Sequence, residues 1–416
     1  MSAPQPFVLG VNYWPRRKAM YWWSDFDAGE VREEFGIIRD LGMSLVRIFL
    51  LWDDWQPAPD VVNPEALTNL GVVLDIAADL DLKLDITFFT GHMSGPNWAP
   101  GWMLLPGESL PPRVHQLVSG GRVVRAGYRN PYADPMTLDA SERLLRAVVG
   151  RYHDHPAVGF WNLGNEPDLF AWPPDPATGR AWTARMARLI REIDSIHAVT
   201  CGLHADSLLW DNNLRIHDVF GEVDFAVMHG YPMYIPWARD PLDVDFVPFL
   251  CALTSALCGK PTLMEEFGGC TNPPGKPSDV LEWTAYGRPR AQFMAAEEDL
   301  ADYLAAVLPR LVEVGATGAL LWCFADYAPE LWNRPPCEES IHERFFGLVR
   351  PDGSLKPHAE VVRRFAASQP VVRQAPQKFP LDVSPEEYYQ DPLTHARRLY
   401  ETYLANRWHP PVGMPE

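Results

Sequence analysis

Basic residues are in short supply in this chain. Lys and Arg number 36 against 54 Asp and Glu, for a formal net charge of −18. A nucleic-acid partner needs a basic face, so none is expected. No apolar run approaches the roughly 20 residues of a membrane span. The first residues, Met1 to Pro6, carry neither a basic region nor an apolar core of the secretory kind. A cytoplasmic protein with no membrane partner is therefore expected. Cysteine is sparse too, at 201, 251, 258, 270, 323 and 337, with no Cys-x-x-Cys pair. Such residues read as reduced thiols rather than as a zinc site. His153-Asp154-His155 looks most like a metal pair, but it sits before a strand and reads as a helix terminus, where His is favourable. No metal and no cofactor are expected. No Gly-rich phosphate loop follows the first strand, and no internal repeat stands out.

What is present is a large apolar fraction, 47% of 416 residues, with 16 Trp and 41 Pro. One large domain with decorated loops fits this better than several small ones. Strands read at Phe7–Tyr13, Ser44–Leu50, Leu82–Phe88, Ala157–Asn165, Ala198–Leu203, Val223–Met228, Pro261–Phe267 and Thr317–Cys323. Helical periodicity falls between them, at Asp27–Leu41, Pro64–Leu80, Pro135–Tyr152, Gly179–Ile196, Asn213–Phe220, Leu242–Cys258, Arg290–Val314 and Leu355–Ala367. Connections after strands three, seven and eight are long, while helix-to-strand turns such as Leu41-Gly42-Met43 are tight. That asymmetry predicts a (β/α)8 TIM barrel over residues 1–368, with long loops on the strand C-terminal face. Residues 369–416 read as a tail with one helix, Pro392–Asn406, packed on the barrel.

The chemistry gathers at strand ends. Ala157–Leu163 is a buried apolar strand closing in Gly164-Asn165-Glu166-Pro167, and the proline stops the ladder just past the acid. A second apolar run ends in Glu265-Glu266-Phe267-Gly268, one hundred positions later. At about 30 residues per strand–helix unit the two acids fall three strands apart, facing one another across a closed barrel. Two carboxylates so placed are the pair a glycosidase needs. Arg47 lies inside Leu-Val-Arg-Ile-Phe-Leu, where an unpaired cation is costly and a carboxylate partner is expected. His92, Asn165, His204, His229, Tyr231 and Trp322 fall on the same rim. The tryptophans near strand ends read half as stacking platforms and half as core. Strand alternation lets only one of Glu265 and Glu266 face the barrel mouth, and periodicity does not choose.

These motifs, Arg47, Trp161-Asn162-Leu163-Gly164-Asn165-Glu166-Pro167, His229-Gly230-Tyr231, Glu266-Phe267-Gly268 and Trp322, resemble those of the clan A retaining glycoside hydrolases, and of family 5 among them. The resemblance spans residues 7–365. It implies Glu166 as general acid/base and Glu266 as nucleophile, with Glu265 an outward-facing or supporting acid. It implies Asn165 as donor to the sugar 2-hydroxyl, and Arg47 and Tyr231 as partners of the nucleophile. His92 and His229 would line the site, and Trp322 would floor the subsite of the cleaved sugar. Arg47 should keep Glu266 ionised, while Glu166 should titrate high beside a like charge. The expected activity is a retaining exo-β-mannosidase on small manno-oligosaccharides. An endo-β-mannanase, a β-glucanase, a β-glucosidase and a β-galactosidase are the alternatives within the clan, and a non-catalytic sugar-binding barrel the alternative outside it. Oligomeric state is not readable. Cys270 and Cys337 fall in rim loops with nothing to mark them as nucleophiles, and Asp53 and Asp54 read equally as sugar ligands or loop caps.

Overall fold

The computed structural model describes residues 5–372 and 379–405. Eight parallel strands form its centre: β1 Val8–Asn12, β2 Leu45–Leu51, β3 Lys83–Thr90, β4 Val158–Asn165, β5 Ala198–Gly202, β6 Ala226–His229, β7 Thr262–Gly268 and β8 Gly318–Trp322. Hydrogen-bonded order runs β5-β4-β3-β2-β1-β8-β7-β6. The ring closes between β5 and β6 through a bridge from His204 to His229, with Ala205 N donating to His229 O at 2.9 Å. The molecule is a (β/α)8 TIM barrel.

Around the strands lie α1 Ala28–Asp40, α2 Pro64–Asp79, α3 Pro135–Tyr152, α4 Pro176–Ile193, α5 Ile216–Glu222, α6 Phe246–Cys258, α7 Glu297–Glu313 and α8 Pro357–Ala367. Three of them start the same way. Asn63, Asp134 and Asp175 each accept a backbone N–H of the first turn, and each is followed by a proline at the first helical position. The side chain satisfies an orphan donor and the proline gives up a donor the helix does not use. Gly42, at φ +81°, ends the turn after α1.

One sequence reading is corrected. Arg290 does not begin a helix. Residues Asp279–Ala285 and Arg288–Met294 form an antiparallel hairpin, and α7 starts only at Glu297. Tyr286 and Gly287 between them both have positive φ, 52° and 71°, the two-residue turn whose twist suits a hairpin. Among the described residues nine of the sixteen tryptophans are buried, Trp14, Trp22, Trp52, Trp55, Trp98 and Trp161 wholly so, close to the half read as core.

Beyond α8 the chain returns along the barrel. Phe379, Tyr400 and Tyr403 pack on Phe249 of α6. Tyr388 donates to Leu208 O and Tyr389 to Ser207 O, both at 2.7 Å, while Tyr389 Oη also accepts from Ile216 N at 2.8 Å. The tail helix runs Pro392–Ala405; its predicted last residue, Asn406, lies outside the described residues. No helix among the described residues is long and apolar enough to cross a membrane. A Tyr389→Phe variant leaves a buried carbonyl and a buried N–H unmatched and is expected to lose about 2 kcal/mol of stability, read as a lower urea midpoint with an unchanged slope.

Candidate active site

Arg47 rises from the middle of β2 into the barrel and is fully buried. Its Nη1 donates to Glu266 Oε2 at 3.2 Å and Asn12 Oδ1 at 3.2 Å, its Nε to Thr87 Oγ1 at 2.9 Å, and its Nη2 to Gly164 O at 3.4 Å. Nη2 also lies 3.3 Å from Glu265 Oε2, and Nε 3.4 Å from Asp85 Oδ2. A fully desolvated cation is tolerable only when matched this completely.

Glu265 does not face outward. It is buried inside the barrel, accepting from Asn162 Nδ2 at 3.0 Å and meeting His229 Nε2 at 2.9 Å. Both neighbouring strands change register along β7, between Met228 and His229 on one side and between Met264 and Phe267 on the other. That irregularity breaks strict alternation, so both acids turn toward the interior. Glu265 sits deeper, against Arg47. Glu266 sits at the mouth, accepting from Tyr231 Oη at 2.7 Å.

Glu166 stands on the opposite side. Its backbone is left-handed, φ 44° and ψ 55°, between the end of β4 and Pro167. A non-glycine residue held there carries about 1–3 kcal/mol of strain, and such strain collects at functional sites. Oε1 of Glu166 is 3.1 Å from His229 Nδ1 and 3.7 Å from His204 Nδ1. One oxygen of Glu166, one of Glu266 and a ring nitrogen of His229 lie within 4.8 Å of one another. His204 is held from behind by Asp168, 2.9 Å from Nε2. His92 meets Asn97 Oδ1 through Nδ1 at 2.7 Å. Because Asn97 Nδ2 donates to Tyr128 Oη and Leu169 O, its oxygen must accept, which places the His92 proton on Nδ1. Asn165 Nδ2 donates to His92 O at 3.3 Å, and its Oδ1 is buried without a partner.

The expected order of acidities is reversed. Burial alone would push the Glu166 carboxyl up, but His204, His229 and His92 around it outweigh burial and hold it well below the usual range. Burial dominates at Glu266 and raises it; Glu166 adds to the rise, while His229, Arg47 and the Tyr231 hydroxyl oppose it. Burial works against charge on His204 and His229 as well, yet the surrounding carboxylates raise both, His204 well above its ordinary value. The cluster's proton therefore rests on imidazole and is shared with Glu166, not stored on an isolated carboxylic acid.

These groups line a cavity of about 340 Å³. Glu166, Glu266, His92, Asn165, His229, Tyr231 and Trp322 all reach its wall, whereas Arg47 and Glu265 act from beneath. Sequence reasoning missed Asp85, Asp168 and Glu343. Asp85 was findable, since a carboxylate inside the apolar run Leu84–Phe89 demands a partner just as Arg47 does. Asp53 and Asp54 do not line the cavity; Asp53 accepts from Gly120 N at 2.6 Å and so closes a loop. Cys270 and Cys337 are buried off the cavity wall, and burial pushes the Cys337 thiol up to about 12.

Comparison with known proteins places this barrel among relatives. The family model described as glycosyl hydrolases family 2, TIM barrel domain, matches residues 112–366. Mannan endo-1,4-beta-mannosidase 3 of Arabidopsis thaliana is 24% identical over 252 residues, 53% of this chain and 57% of that protein. Mannan endo-1,4-beta-mannosidase 4 of Oryza sativa subsp. japonica is 30% identical over 262 residues, 55% of this chain and 53% of that protein. The chain thus spans somewhat over half the length of these curated relatives. Among solved structures, a GH5_18 protein from Streptomyces cattleya in complex with GlcNAc superposes with TM-score 0.76 at 19% identity, covering 98% of this chain and 92% of that one. The exo-beta-1,4-mannosidase Op5Man5 from Opitutaceae bacterium strain TAV5 gives 0.71 at 24% identity, covering 88% and 60%. The structural likenesses show the shared barrel. More than half of the chain lies within the family model, and the protein therefore belongs to the glycosyl hydrolases family 2, TIM barrel domain, with mannan endo-1,4-beta-mannosidases among its curated relatives.

Proposed function

We propose that this protein is a retaining β-glycoside hydrolase acting on mannose-containing glycans, and within that class an exo-β-mannosidase. The observation that carries the chemistry is the approach of Glu166 and Glu266 to within 4.8 Å across one cavity, with Arg47 and Tyr231 both on Glu266. Retaining pairs stand about 5 to 5.5 Å apart, whereas inverting pairs leave room for a water between them. In the first step Glu266 attacks the anomeric carbon, and Glu166 gives its proton to the departing glycosidic oxygen. The glycosyl-enzyme is then opened by a water whose proton returns to Glu166. Arg47 and Tyr231 hold the attacking oxygens in line, and Trp322 floors the sugar.

Exo action is supported by how the cavity is walled. Three loops meet at the hairpin tip. Tyr286 Oη lies 2.9 Å from Ser340 Oγ of the loop after β8, and the Tyr286 ring stacks on His115 of the loop after β3 at 5.8 Å. Gly95 presses into the same junction, where a Cβ would fall 2.3 Å from Ser340 Oγ. On the Glu166 side a second cavity of about 390 Å³ shares His92, Gly95 and Leu169 with the first and is lined further by Arg113, Phe170 and Trp172. A loop-walled compartment for one terminal sugar and an aromatic compartment for the leaving group suit a short oligosaccharide. One structural relative, a GH5_18 protein from Streptomyces cattleya, is in complex with Manb1-4GlcNAc, and a disaccharide of that size fits the reading. The endo activity in the names of the curated relatives is the second reading; it requires a groove open on both sides.

Three outcomes test the chemistry. Glu266→Ala is expected to abolish turnover of aryl β-mannosides, by about four orders of magnitude or more. Glu166→Ala should lose about 10²- to 10⁴-fold on substrates with poor leaving groups and far less on dinitrophenyl glycosides. Wild-type product followed by NMR at early times should retain the β configuration, and inversion would discard the mechanism. Because Asp279 and Met294 face each other in register, the hairpin can be replaced by a short turn between them. That variant is expected to gain cleavage of internal bonds in mannohexaose, where the wild type releases only mannose. His204 is protonated below its raised value and its charge lowers the Glu166 carboxyl, so His204→Asn is expected to raise Glu166 and move the alkaline limb of kcat/KM to higher pH.

A further inference from the structure

The loop after β8 carries a carboxylate that the mechanism does not use. Glu343 sits in the short helical turn Ile341–Phe345 and forms part of the cavity wall, beside Ser94, Trp322, His342 and Phe346. Its side chain is 11% exposed. Oε2 is buried without a hydrogen-bond partner, and Oε1 lies 3.5 Å from His342 Nε2. Ser94 Oγ and His342 Nδ1, on the same wall, are likewise buried and unmatched. An unmatched buried polar atom is destabilising by about 1–3 kcal/mol, so three of them on one patch of wall are an arrangement that packing alone does not favour. Ser94 is held in left-handed backbone, φ 56°, ahead of Gly95 at 113°. The patch is strained as well as unsatisfied.

The chemistry of the patch is narrow. Burial pushes Glu343 up to about 7, with the Ser94 hydroxyl and the Trp322 indole pulling the other way and Glu266 and Glu166 adding like charge. Burial, together with Arg290 of the hairpin, brings His342 down to about 4, so its ring is neutral at ordinary pH. Among the described residues, no lysine or arginine lines the cavity. An anionic glycone would therefore meet Glu343 with no lysine or arginine on the wall to offset it, the raised imidazoles of His204 and His229 being engaged with Glu166. A ligand with several neutral hydroxyls meets a carboxylate, a hydroxyl and an imidazole that can each accept or donate. Tyr234 and Trp283 flank His342, with ring centroids at 6.3 and 5.3 Å, and hold it in place.

We propose that Glu343 is a specificity-determining residue, whose carboxylate, with Ser94 beside it, accepts hydrogen bonds from hydroxyls of the terminal sugar on the side of the pocket away from the bond that breaks. The proposal rests on the reading of this cavity as the site of the cleaved sugar. It makes Glu343 a reader of the neutral, fully hydroxylated glycone, separate from the Asn165 contact next to the acid.

The test pairs Glu343→Gln with a series of dinitrophenyl β-mannosides lacking one hydroxyl at carbon 3, 4 or 6. With the wild type, removal of at least one hydroxyl is expected to lower kcat/KM by 10-fold or more. In Glu343→Gln the parent substrate should fall by a similar factor, and the penalty for that same deoxy position should shrink to 3-fold or less. Glu343→Ala should behave likewise, and thermal unfolding should show both variants folded. Equal losses for parent and every deoxy substrate would overturn the proposal, since a merely structural residue does not discriminate hydroxyls. So would a wild-type profile indifferent to all three positions. A wild type that hydrolyses no aryl β-glycoside at all would instead overturn the glycosidase reading beneath it.

Discussion

The guanidinium of Arg47 is the interaction on which the barrel interior depends. Its partners come from β1, β3, β4 and β7, and Nη1 lies 3.3 Å from His229 Nε2 on β6. A buried cation is weak evidence for stability, because its desolvation offsets much of its attraction. It is better understood as a device that admits one arrangement. Strands that slid relative to one another would strand the charge, so the register that matches Arg47 is also the register that sets Glu266 at the mouth.

Two acids side by side on β7 divide the work. Glu265 faces Arg47, Asn162 and His229 in the dry interior and stays below the usual carboxylate range: burial works against it, but Arg47 and His229 prevail. Asp85 nearby is pushed well up by burial and by Glu265, with Arg47 pulling the other way. The fixed charge beneath the site is thus arginine against Glu265. That leaves Glu266, at the top of the same strand, to gain or lose attraction as its neighbours change protonation. His229 joins the two levels, with Nε2 on Glu265 and Nδ1 on Glu166.

Much of this is legible in the chain. The eight strands fall within a few residues of their apolar runs. Asn63-Pro64 and Asp134-Pro135 announce helix starts, and an arginine amid Leu, Val, Ile and Phe announces a buried partner. What stays hidden depends on three-dimensional neighbours. Nothing in Met264-Glu265-Glu266-Phe267 signals the register shift that turns both acids inward. Tyr286-Gly287 lacks the Asn-Gly form that marks a tight hairpin, so the alternation in 288–294 reads as the start of a helix. Charge on charge alone gives the wrong order of acidities for Glu166 and Glu266. Three histidines from β3, β5 and β6 converge on Glu166, and no spacing along the chain brings them together before the ring closes.

The position of that closure matters. The last seam of the barrel, between β5 and β6, is stitched by the peptide groups of His204 and His229, the two residues whose rings flank the acid. The helical turn just past His204 is in turn gripped by Tyr388 and Tyr389 of the C-terminal extension. Completing the cylinder and assembling the proton-handling cluster are consequently a single event in folding. A tail that docks from far along the sequence thus braces the turn beside the seam that brings both histidines to Glu166.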